Sequence, residues 1–276
     1  MTDGPGKLVG LRRLLKPLGK VAVAYSGGAD STLLLKVARD ELGDGALAIV
    51  IAGDIMPETE LRDAVSVARG LGVEPMIVRA DLLSSPGFRD NPVDRCYLCK
   101  KAIFTGIVKA AHDRGFDIIA DGSHTGDLEE DRPGRRALRE LGVRSPLTEA
   151  GFDKEDVRSC SALLGLPTAL KPASPCLATR IPFGQEITAE KLHQVDMAER
   201  TVRALGIEVV RVRHHGAIAR IEVLPRDIPA VVSHRDRLVP ALRELGFAYI
   251  DVDLRGYRPG SMSEAVERDR SGPPLS

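Results

Sequence analysis

Four cysteines carry the most reactive groups of this 276-residue chain, and two of them are closely spaced. Cys96 and Cys99 stand three residues apart in the segment RCYLCK, which falls in the first turns of a predicted helix. Residues three apart on a helix share a face, so the two thiols can bind one metal ion or cluster together. Such a site needs further ligands from elsewhere, and two half-buried core cysteines are the alternative interpretation.

Cys176 is the candidate for a third ligand, and it lies in the segment SPCLATRIPFG. A thiolate near an activated carboxyl group is also a nucleophile, because it attacks the acyl carbon while the leaving group departs. Cys160 is the weaker candidate, since it precedes Leu163 and Leu164 in a predicted helix. We expect Cys160 to pack in the core rather than to bind a metal.

A glycine-rich segment near the N-terminus, SGGADS, has the composition of a phosphate-binding loop. Gly27 and Gly28 let the backbone approach a phosphate, while the N–H groups and the dipole of the following helix point at the anion. Ser26 and Ser31 supply hydroxyl donors, and Asp30 is suited to contact Mg²⁺. The lysine of a Walker-A loop is missing, so the segment suits a released pyrophosphate better than kinase chemistry. An ordinary glycine-rich turn is the alternative.

The elements that must position this loop alternate between strands and helices. Apolar runs predict strands at 20–25, 46–52, 75–78 and 117–120. Helical spacing predicts helices at 31–42, 58–71 and 92–109, the last beginning with Asn91 as its cap and Pro92 as its first residue. This alternation predicts an α/β fold with a doubly wound parallel sheet covered by helices on both faces.

The second half of the chain has a different pattern, and we place a domain boundary near Lys171. Residues 1–170 then form the loop-bearing domain, with further short helices at 137–141 and 154–164. Residues 171–258 predict a smaller α+β domain, with helices at 189–205 and 228–245 and strands at 208–213, 217–223 and 249–254. Residues 259–276 are rich in Gly, Ser, Pro and charge, which predicts a disordered tail.

Composition excludes several classes of function. The chain has 39 Lys and Arg against 39 Asp and Glu, so it lacks the long-range attraction to polyanions typical of nucleic-acid binders. No apolar run is long enough for an export signal or a membrane span, and we expect a cytoplasmic protein without a membrane partner. Four cysteines in a chain of this size do not make a disulfide scaffold, which leaves thiols, metal ligands or catalysts.

SGGADS resembles the signature of the PP-loop ATP pyrophosphatases, which include NAD and GMP synthetases, asparagine synthetases and several tRNA-thiolating enzymes. The resemblance implies that the chain uses ATP and Mg²⁺ to adenylate a substrate with loss of pyrophosphate. Doubly wound sheets bind ligands at the carboxyl ends of their strands. We therefore expect Gly53 and Asp54 to contact the adenosine, and Asp121, next to Gly122, to hold a metal ion. A plain turn or helix-cap role is the alternative for each.

The longer segment SPCLATRIPFG resembles the LarE group of ATP-dependent sulfur transferases, which build the pyridinium dithiocarboxylate nickel-pincer cofactor of lactate racemase. The resemblance runs from about residue 20 to residue 254. It takes in NPVDRCYLCK, RPG at 132–134, GVRSPL at 142–147, RHHG at 213–216 and ARIE at 219–222. One departure is SHTGD at 123–127, where members of the family often have an asparagine.

The family resemblance implies a nicotinate-derived mononucleotide substrate with two carboxyl groups, each adenylated and then converted to a thiocarboxylate. Cys176 matches the sulfur-bearing cysteine, which in single-cysteine members gives up its own sulfur and becomes dehydroalanine. The presence of Cys96 and Cys99 resembles members in which three cysteines hold a [4Fe-4S] cluster whose open iron carries an extra sulfide. We favour this cluster route, fed by sulfide or another sulfur donor, and the sacrificial route is the alternative.

The same resemblance suggests a substrate site made of arginines and glutamates. Arg180, Arg211 and Arg213 are the candidates to hold the mononucleotide phosphate, because planar guanidinium groups suit phosphate oxygens. Glu199 and Glu222 match acidic positions that lie near the sulfur-bearing cysteine in the family and could take up a metal ion. A solvated strand edge and ordinary surface charge are the alternatives.

Three functions compete on the sequence alone. The first is a LarE-type sulfur transferase, which the family resemblance further suggests to be a homo-oligomer such as a hexamer. The second is a PP-loop tRNA thiolase, which would need a basic RNA-binding surface or zinc-ribbon cysteines, and neither is evident. The third is a non-enzymatic iron–sulfur or nucleotide-binding module, against which an intact SGGADS together with three candidate thiolates argues.

Overall fold

A computed structural model of the chain describes residues 4–127, 133–172 and 175–258. These residues form two compact units. The first consists of residues 4–85, 94–127 and 133–172, and the second of residues 86–93 and 175–258. Each unit contains a β-sheet of its own. Residues 86–93 belong to the second unit although the chain then returns to the first.

A parallel sheet forms the centre of the first unit. Its strands are β1 Val21–Ala24, β2 Ala46–Ala52, β3 Met76–Arg79 and β4 Ile119–Ala120. They pair in the order β3-β2-β1-β4, which confirms the predicted parallel sheet. The order reverses between β1 and β4, so the carboxyl ends of these two strands border the crevice in which such sheets bind ligands.

Helices cover both faces of this sheet. They are α1 Gly4–Leu15, α2 Ala29–Leu42, α3 Glu58–Gly70, α4 Arg95–His112, α5 Pro133–Glu140, α6 Pro146–Glu149 and α7 Lys154–Leu163. Val21 and Val23 pack on one face with Leu11 of α1 and with apolar residues of α2 and α7. Ala22 and Ile49 pack on the other face with apolar residues of α4 and α5. Burying each such Val, Leu or Ile contributes about 1.5–3 kcal/mol, and this two-sided burial selects the parallel sheet.

The start of α4 differs from the prediction. Asn91 and the proline after it were expected to begin the helix, but α4 begins at Arg95 with Asp94 as its N-cap residue. Asn91 is buried with a positive φ of 53°. Its side-chain amide donates to the carbonyl oxygens of Ile181, at 3.2 Å, and Pro182, at 2.7 Å. The amide therefore holds a loop of the second unit instead of capping a helix.

The second unit contains a smaller mixed sheet. Its elements are α8 Ala189–Arg203, β5 Val210–His215, β6 Ile218–Val223, α9 Ile228–Ser233, α10 Arg235–Glu244 and β7 Tyr249–Val252. β5 pairs antiparallel with β6, and β6 pairs parallel with β7. Successive side chains of a strand point to opposite faces. Val210 and Val212 thus pack against α8 and α10, while Arg211, Arg213 and the paired Glu222 share the other face.

Other differences from the prediction are local. Helices α1 and α6 were not predicted, and the helix expected at 228–245 is divided at His234, whose φ of −97° and ψ of 16° interrupt it. The tail predicted to be disordered, residues 259–276, lies outside the described residues. Within the part of the chain that the structure describes, no helix is long and apolar enough to cross a membrane.

Candidate active site

The phosphate loop, defined as residues 26–31, connects the carboxyl end of β1 to the first turn of α2. Gly27 has a φ of +72°, and a Cβ atom built on it would lie 2.7 Å from the Cβ of Ala64 in α3. Both the backbone conformation and this close approach exclude a larger residue. The loop is therefore packed directly against α3.

Two serines brace the phosphate loop from within. The hydroxyl groups of Ser26 and Ser31 lie 3.1 Å apart, and the Ser26 N–H donates to the Ser31 hydroxyl at 3.2 Å. Gly28 has extended backbone geometry as the N-cap residue of α2, and its N–H donates to the Ser26 hydroxyl at 3.4 Å. The loop is thus ordered at the positive end of the α2 dipole, a position that favours phosphate.

The end of β4 meets the phosphate loop. A Cβ atom on Gly122 would lie 2.9 Å from the backbone nitrogen of Ser31, so only glycine lets the two segments approach so closely. The neighbouring Asp121 is buried, and its two carboxylate oxygens accept hydrogen bonds from the hydroxyls of Ser123, at 2.5 Å, and Ser145, at 2.6 Å. The structure therefore brings Asp121 and Gly122 beside the loop, at the crevice between β1 and β4.

Lysines from distant parts of the first unit also reach this loop. The ammonium group of Lys154, the first residue of α7, lies 2.7 Å from both carboxylate oxygens of Asp30. The ammonium group of Lys171 donates to the Gly27 carbonyl oxygen at 3.3 Å and pairs with Glu60 at 2.7 Å. The loop thus has two cations at its edge although its own sequence lacks one.

His124 adds a further polar group beside Asp30. Its Nε2 lies 4.0 Å from an Asp30 oxygen and 3.8 Å from an oxygen of Asp127. This histidine stands in the segment where the family pattern often has asparagine.

The end of β2 lies beside the residue that follows β3. A Cβ atom on Gly53 would lie 2.4 Å from the carbonyl oxygen of Ala80, so glycine is required where the two strand ends converge. Asp54 follows and is exposed. Both residues lie at the carboxyl edge of the sheet, as the expected adenosine contact requires.

Cys96 and Cys99 lie in the first two turns of α4, Cys96 exposed and Cys99 partly buried. The helix is tied to α5 through Tyr97. The Tyr97 hydroxyl donates to Glu140 at 3.0 Å, and the guanidinium of Arg136 lies 3.8 Å from the Tyr97 ring centroid. The two thiols therefore stand on a braced helix.

Cys176 is partly buried in the second unit, where it is the N-cap residue of a 3₁₀ turn, Leu177–Arg180. Its carbonyl oxygen accepts hydrogen bonds from the Thr179 N–H, at 3.0 Å, the Thr179 hydroxyl, at 2.8 Å, and the Arg180 guanidinium, at 3.2 Å. None of the four cysteines forms a disulfide. Among the described residues, no group of three or more His, Cys, Asp or Glu side chains is placed to hold a metal ion.

Cys160 has the surroundings of a packing residue. It is 1% exposed within the core of the first unit, and its thiol donates to the Gly4 carbonyl oxygen at 3.2 Å. Burial raises the pKa of this thiol, and the charge of Asp156 raises it further. A protonated, buried thiol is a poor nucleophile and a poor metal ligand, in agreement with the predicted packing role.

The predicted arginines and glutamates of the second unit are buried and form one network with Arg203 and Arg220, which are partly exposed. We call it the arginine–glutamate cluster, and it consists of Arg180, Glu199, Arg203, Arg211, Arg213, Arg220 and Glu222. Asp253 lies 3.9 Å from Arg220, and with its charge included the five positive and three negative side chains leave a formal surplus of two positive charges. Such a surplus favours the binding of an anion.

Glu199 is the centre of one half of the cluster and is 1% exposed. One oxygen accepts from the Arg180 Nε at 2.7 Å and from the Val212 N–H at 3.1 Å, while the other accepts from Arg180 at 3.0 Å and Arg203 at 2.8 Å. Burial acts to raise the pKa of Glu199, but the charge of Arg180 and its hydrogen bonds outweigh burial. The pKa lies below its ordinary value.

Glu222 is the centre of the other half and is fully buried. One oxygen accepts from the Nε of Arg213, at 2.9 Å, and from a terminal nitrogen of the same residue, at 2.7 Å. The other oxygen accepts from Arg220 at 3.0 Å. Both glutamates that the sequence analysis considered as metal ligands therefore have all their carboxylate oxygens hydrogen-bonded to other groups of the protein.

Arg211 is buried in the cluster near a second guanidinium, that of Arg180. Burial lowers its pKa from the ordinary value, and the charge of Arg180 lowers it further. A terminal nitrogen donates to the Val210 carbonyl oxygen at 2.7 Å, and the guanidinium lies 5.2 Å from the ring centroid of Tyr257.

Comparison with known proteins identifies relatives over nearly the whole chain, although no protein-family model matches it. An uncharacterised protein of Synechocystis sp. is 41% identical over 265 residues, which are 95% of this chain and 98% of that protein. The pyridinium-3,5-bisthiocarboxylic acid mononucleotide synthase of Lactiplantibacillus plantarum is 38% identical over 255 residues, 92% of each chain. The chain belongs to this synthase family. The NH₃-dependent NAD(+) synthetase of Aeropyrum pernix is 28% identical over 243 residues, and the match covers 73% of this chain and 78% of the synthetase. This likeness places the family in the PP-loop superfamily.

Sequence reasoning missed four residues that contact the candidate site residues, namely Lys154, Lys171, Arg203 and Arg220. Lys154 and Asp30 are 124 residues apart in the chain, so no local motif connects them. One signal was present, because a lysine in the first turn of a helix is disfavoured by the helix dipole unless an anion offsets its charge. Asp30 provides that anion.

Proposed function

We propose that this chain is an ATP-dependent sulfur transferase that adenylates the carboxyl groups of a pyridinium-dicarboxylate mononucleotide and converts them to thiocarboxylates. The observation that carries the proposal is the phosphate loop, packed against α3 and against Gly122 at the crevice between β1 and β4. The name of the Lactiplantibacillus plantarum relative, a pyridinium-3,5-bisthiocarboxylic acid mononucleotide synthase, supplies the substrate class.

Adenylation uses the first unit. A carboxylate oxygen of the substrate bonds to the α-phosphorus of ATP, and pyrophosphate leaves with the electron pair of the broken P–O bond. The N–H groups at the start of α2, the hydroxyls of Ser26 and Ser31 and the ammonium of Lys154 stabilise the departing charge. Mg²⁺ would neutralise phosphate charge when bound. Asp30, whose carboxylate is partly exposed, and Asp121 would hold it in exchange for hydrogen bonds that they now accept from Lys154, Ser123 and Ser145. Gly53 and Asp54 are proposed to contact the adenosine.

The arginine–glutamate cluster is the proposed site of the mononucleotide phosphate. Arg211 and Arg213 lie on one face of β5, and an anion there would offset the surplus positive charge of the cluster. Glu199 and Glu222 hold the arginines in place, which is a sufficient reason for their burial. A metal at these two glutamates would require arginine hydrogen bonds to break first.

Sulfur transfer then proceeds at the acyl carbon. A sulfur nucleophile bonds to that carbon, the C–O bond to the phosphate breaks, and AMP leaves. Hydrosulfide as the nucleophile loses its proton to give the thiocarboxylate. If the Cys176 thiolate attacks instead, its thioester must lose the Cα proton as the Cβ–S bond breaks, which leaves thiocarboxylate and dehydroalanine.

Between these routes we favour external sulfur, with Cys96, Cys99 and Cys176 as ligands of a [4Fe-4S] cluster. Its support is the presence of two extra thiols three residues apart on one helix face. A cluster held by three thiolates would supply an open iron that carries a sulfide. The described residues do not assemble such a ligand set.

The test is anaerobic turnover of the purified protein with ATP, sulfide and the dicarboxylate mononucleotide. Pyrophosphate–ATP exchange that depends on the dicarboxylate, together with a thiocarboxylate product detected by mass spectrometry, is the expected result. A Cys176→Ser variant should retain the exchange and lose the product. Exchange without the dicarboxylate, or with an unrelated acid in its place, would refute the proposed substrate class.

The same samples distinguish the sulfur sources. Iron and sulfide bound in proportion to protein, multiple turnovers and an unchanged protein mass support the cluster route. Absence of iron, with loss of the mass of one hydrogen sulfide from Cys176 after a single turnover, would establish the sacrificial route instead.

A further inference from the structure

We propose that Arg180 is a positioning residue that fixes the backbone at Cys176, and that it does not bind the substrate phosphate. The proposal rests on the proposed function in two respects: Cys176 takes part in sulfur transfer, as a cluster ligand or as the sulfur donor, and Arg211 and Arg213 hold the substrate phosphate. The role of Arg180 thus differs from that of Arg211 and Arg213, although all three were predicted to hold the mononucleotide phosphate.

The donors of Arg180 are almost fully occupied by the protein itself. The Nε and one terminal nitrogen form a bidentate pair with Glu199, at 2.7 and 3.0 Å. The other terminal nitrogen lies 2.8 Å from the Pro175 carbonyl oxygen, 3.2 Å from that of Cys176 and 2.9 Å from the Thr179 hydroxyl. A guanidinium has five N–H donors, so at most one remains.

Burial removes Arg180 from the surface that a ligand can reach. The residue is 1% exposed and is the largest of the fully buried side chains among the described residues. The fork of two parallel N–H groups that would hold a phosphate is already directed at Glu199. Redirecting it would leave the Glu199 carboxylate buried with its main partner lost, which is strongly unfavourable.

The contacts of Arg180 connect Cys176 to the strand that carries the other two arginines. Glu199 accepts from the N–H of Val212 in β5, so the Glu199–Arg180 pair joins β5 to the carbonyl oxygen of Cys176. A second connection runs from Arg213 of β5, which donates to the Thr179 carbonyl oxygen at 3.0 Å. The 3₁₀ turn that begins at Cys176 is therefore held at both ends against the same strand.

This arrangement has a consequence for catalysis. If Arg211 and Arg213 hold the substrate phosphate, the Arg180 clamp sets where the Cys176 sulfur stands relative to the bound substrate. A sulfur displaced by about 1 Å can lower a reaction rate by about 100-fold while binding is unaffected. Arg180 should therefore influence the rate of sulfur transfer and not the affinity for the mononucleotide.

The experiment compares Arg180→Lys with Arg211→Lys in the full chain. Both variants keep the charge and lose the planar fork. Three quantities are measured: the KM for the mononucleotide, the rate of thiocarboxylate formation and, in protein freed of iron by a chelator, the rate at which iodoacetamide alkylates Cys176, followed by mass spectrometry of the Cys176 peptide. Pyrophosphate–ATP exchange serves as the control for an intact first unit.

Arg180→Lys should leave KM within about twofold, slow thiocarboxylate formation by about 10- to 100-fold and change the alkylation rate of Cys176. Arg211→Lys should raise KM by about tenfold and leave the alkylation rate unchanged. The proposal is wrong if Arg180→Lys raises KM as Arg211→Lys does and leaves Cys176 alkylation at the wild-type rate.

The double variant Arg180→Met with Glu199→Gln decides the matter if Arg180→Lys does not fold. It removes every Arg180 contact with the backbone at Cys176 and leaves no unpaired buried carboxylate. A change in Cys176 alkylation with unchanged KM supports the clamp, and no change in alkylation or transfer rejects it. Since alkylation needs no turnover, it tests Arg180 even if the wild-type protein forms no thiocarboxylate, the outcome that would reject the proposed function.

Discussion

Replacing Gly27 with alanine should destabilise the first unit and abolish use of the phosphate loop. Two contributions lower the free energy of unfolding, and a smaller one raises it. An L-residue at a φ of +72° costs about 1–2 kcal/mol relative to glycine. The new Cβ would lie 2.7 Å from the Ala64 Cβ and 2.9 Å from its Cα, so α3 or the loop must shift, which costs about 1–3 kcal/mol. Loss of glycine flexibility in the unfolded chain returns about 0.4–1 kcal/mol.

The net expectation for Gly27→Ala is a loss of about 1–4.5 kcal/mol in the free energy of unfolding. Gly142→Ala is the matched control, because Gly142 also has a positive φ, of +65°, but no atom within 4 Å of an added Cβ. That variant should lose only about 1 kcal/mol, since it carries the backbone term alone. Gly28→Ala is a second control, because Gly28 has a negative φ of −82°. It adds a methyl group to the loop without backbone strain and without a contact shorter than 3.4 Å.

Urea denaturation followed by circular dichroism measures these differences, and pyrophosphate–ATP exchange measures loop function. Exchange should be lost in Gly27→Ala and should persist at the wild-type level in Gly142→Ala. The reasoning fails if Gly27→Ala is no less stable than Gly142→Ala, or if it keeps wild-type exchange, because the contact with Ala64 would then not determine the loop conformation.

Three further predictions test other parts of the molecule. Lys154→Met should lower pyrophosphate–ATP exchange by about 10- to 100-fold, because it removes a charge-assisted hydrogen-bond partner from the loop; wild-type exchange would exclude Lys154 from the site. Cys96→Ala should abolish iron binding in anaerobically purified protein, whereas Cys160→Ala, which removes a buried packing thiol, should retain it; iron retained in Cys96→Ala would refute the three-cysteine proposal. The free energy of unfolding should fall as the pH drops below about 6.5, where the unfolded chain binds protons that buried His214 does not. Burial lowers the pKa of His214, so above that pH both states are neutral and the effect vanishes. His214→Gln should reduce the slope by up to about 1.4 kcal/mol per pH unit, measured by urea denaturation from pH 5 to 8, and an unchanged slope would contradict a neutral buried imidazole.

Much of the fold could be predicted from the sequence, because the relevant signals are local. The strand predicted at 46–52 matches β2 at both ends, since a continuous apolar run defines a strand buried on both faces. The helix predicted at 154–164 ends one residue beyond α7. The start of α4 was misplaced because the Asn91 amide has two competing uses, capping a helix or holding a loop. Only tertiary structure, through the carbonyl oxygens of Ile181 and Pro182, selects the second.

The sequence by itself determined the chemistry that is available to this protein. Three local patterns carry this chemistry: a phosphate loop of six consecutive residues, two thiols three residues apart and alternating arginines on a strand. Each pattern joins residues that are close together in the chain, so each can be recognised from the sequence alone. Tertiary structure decided which groups these residues face. Lys154 pairs with Asp30 across 124 positions, and Arg180 turns its donors to Glu199 and to the backbone at Cys176. A guanidinium donates equally well to a ligand phosphate or to a protein carboxylate, so only packing could determine which one Arg180 contacts.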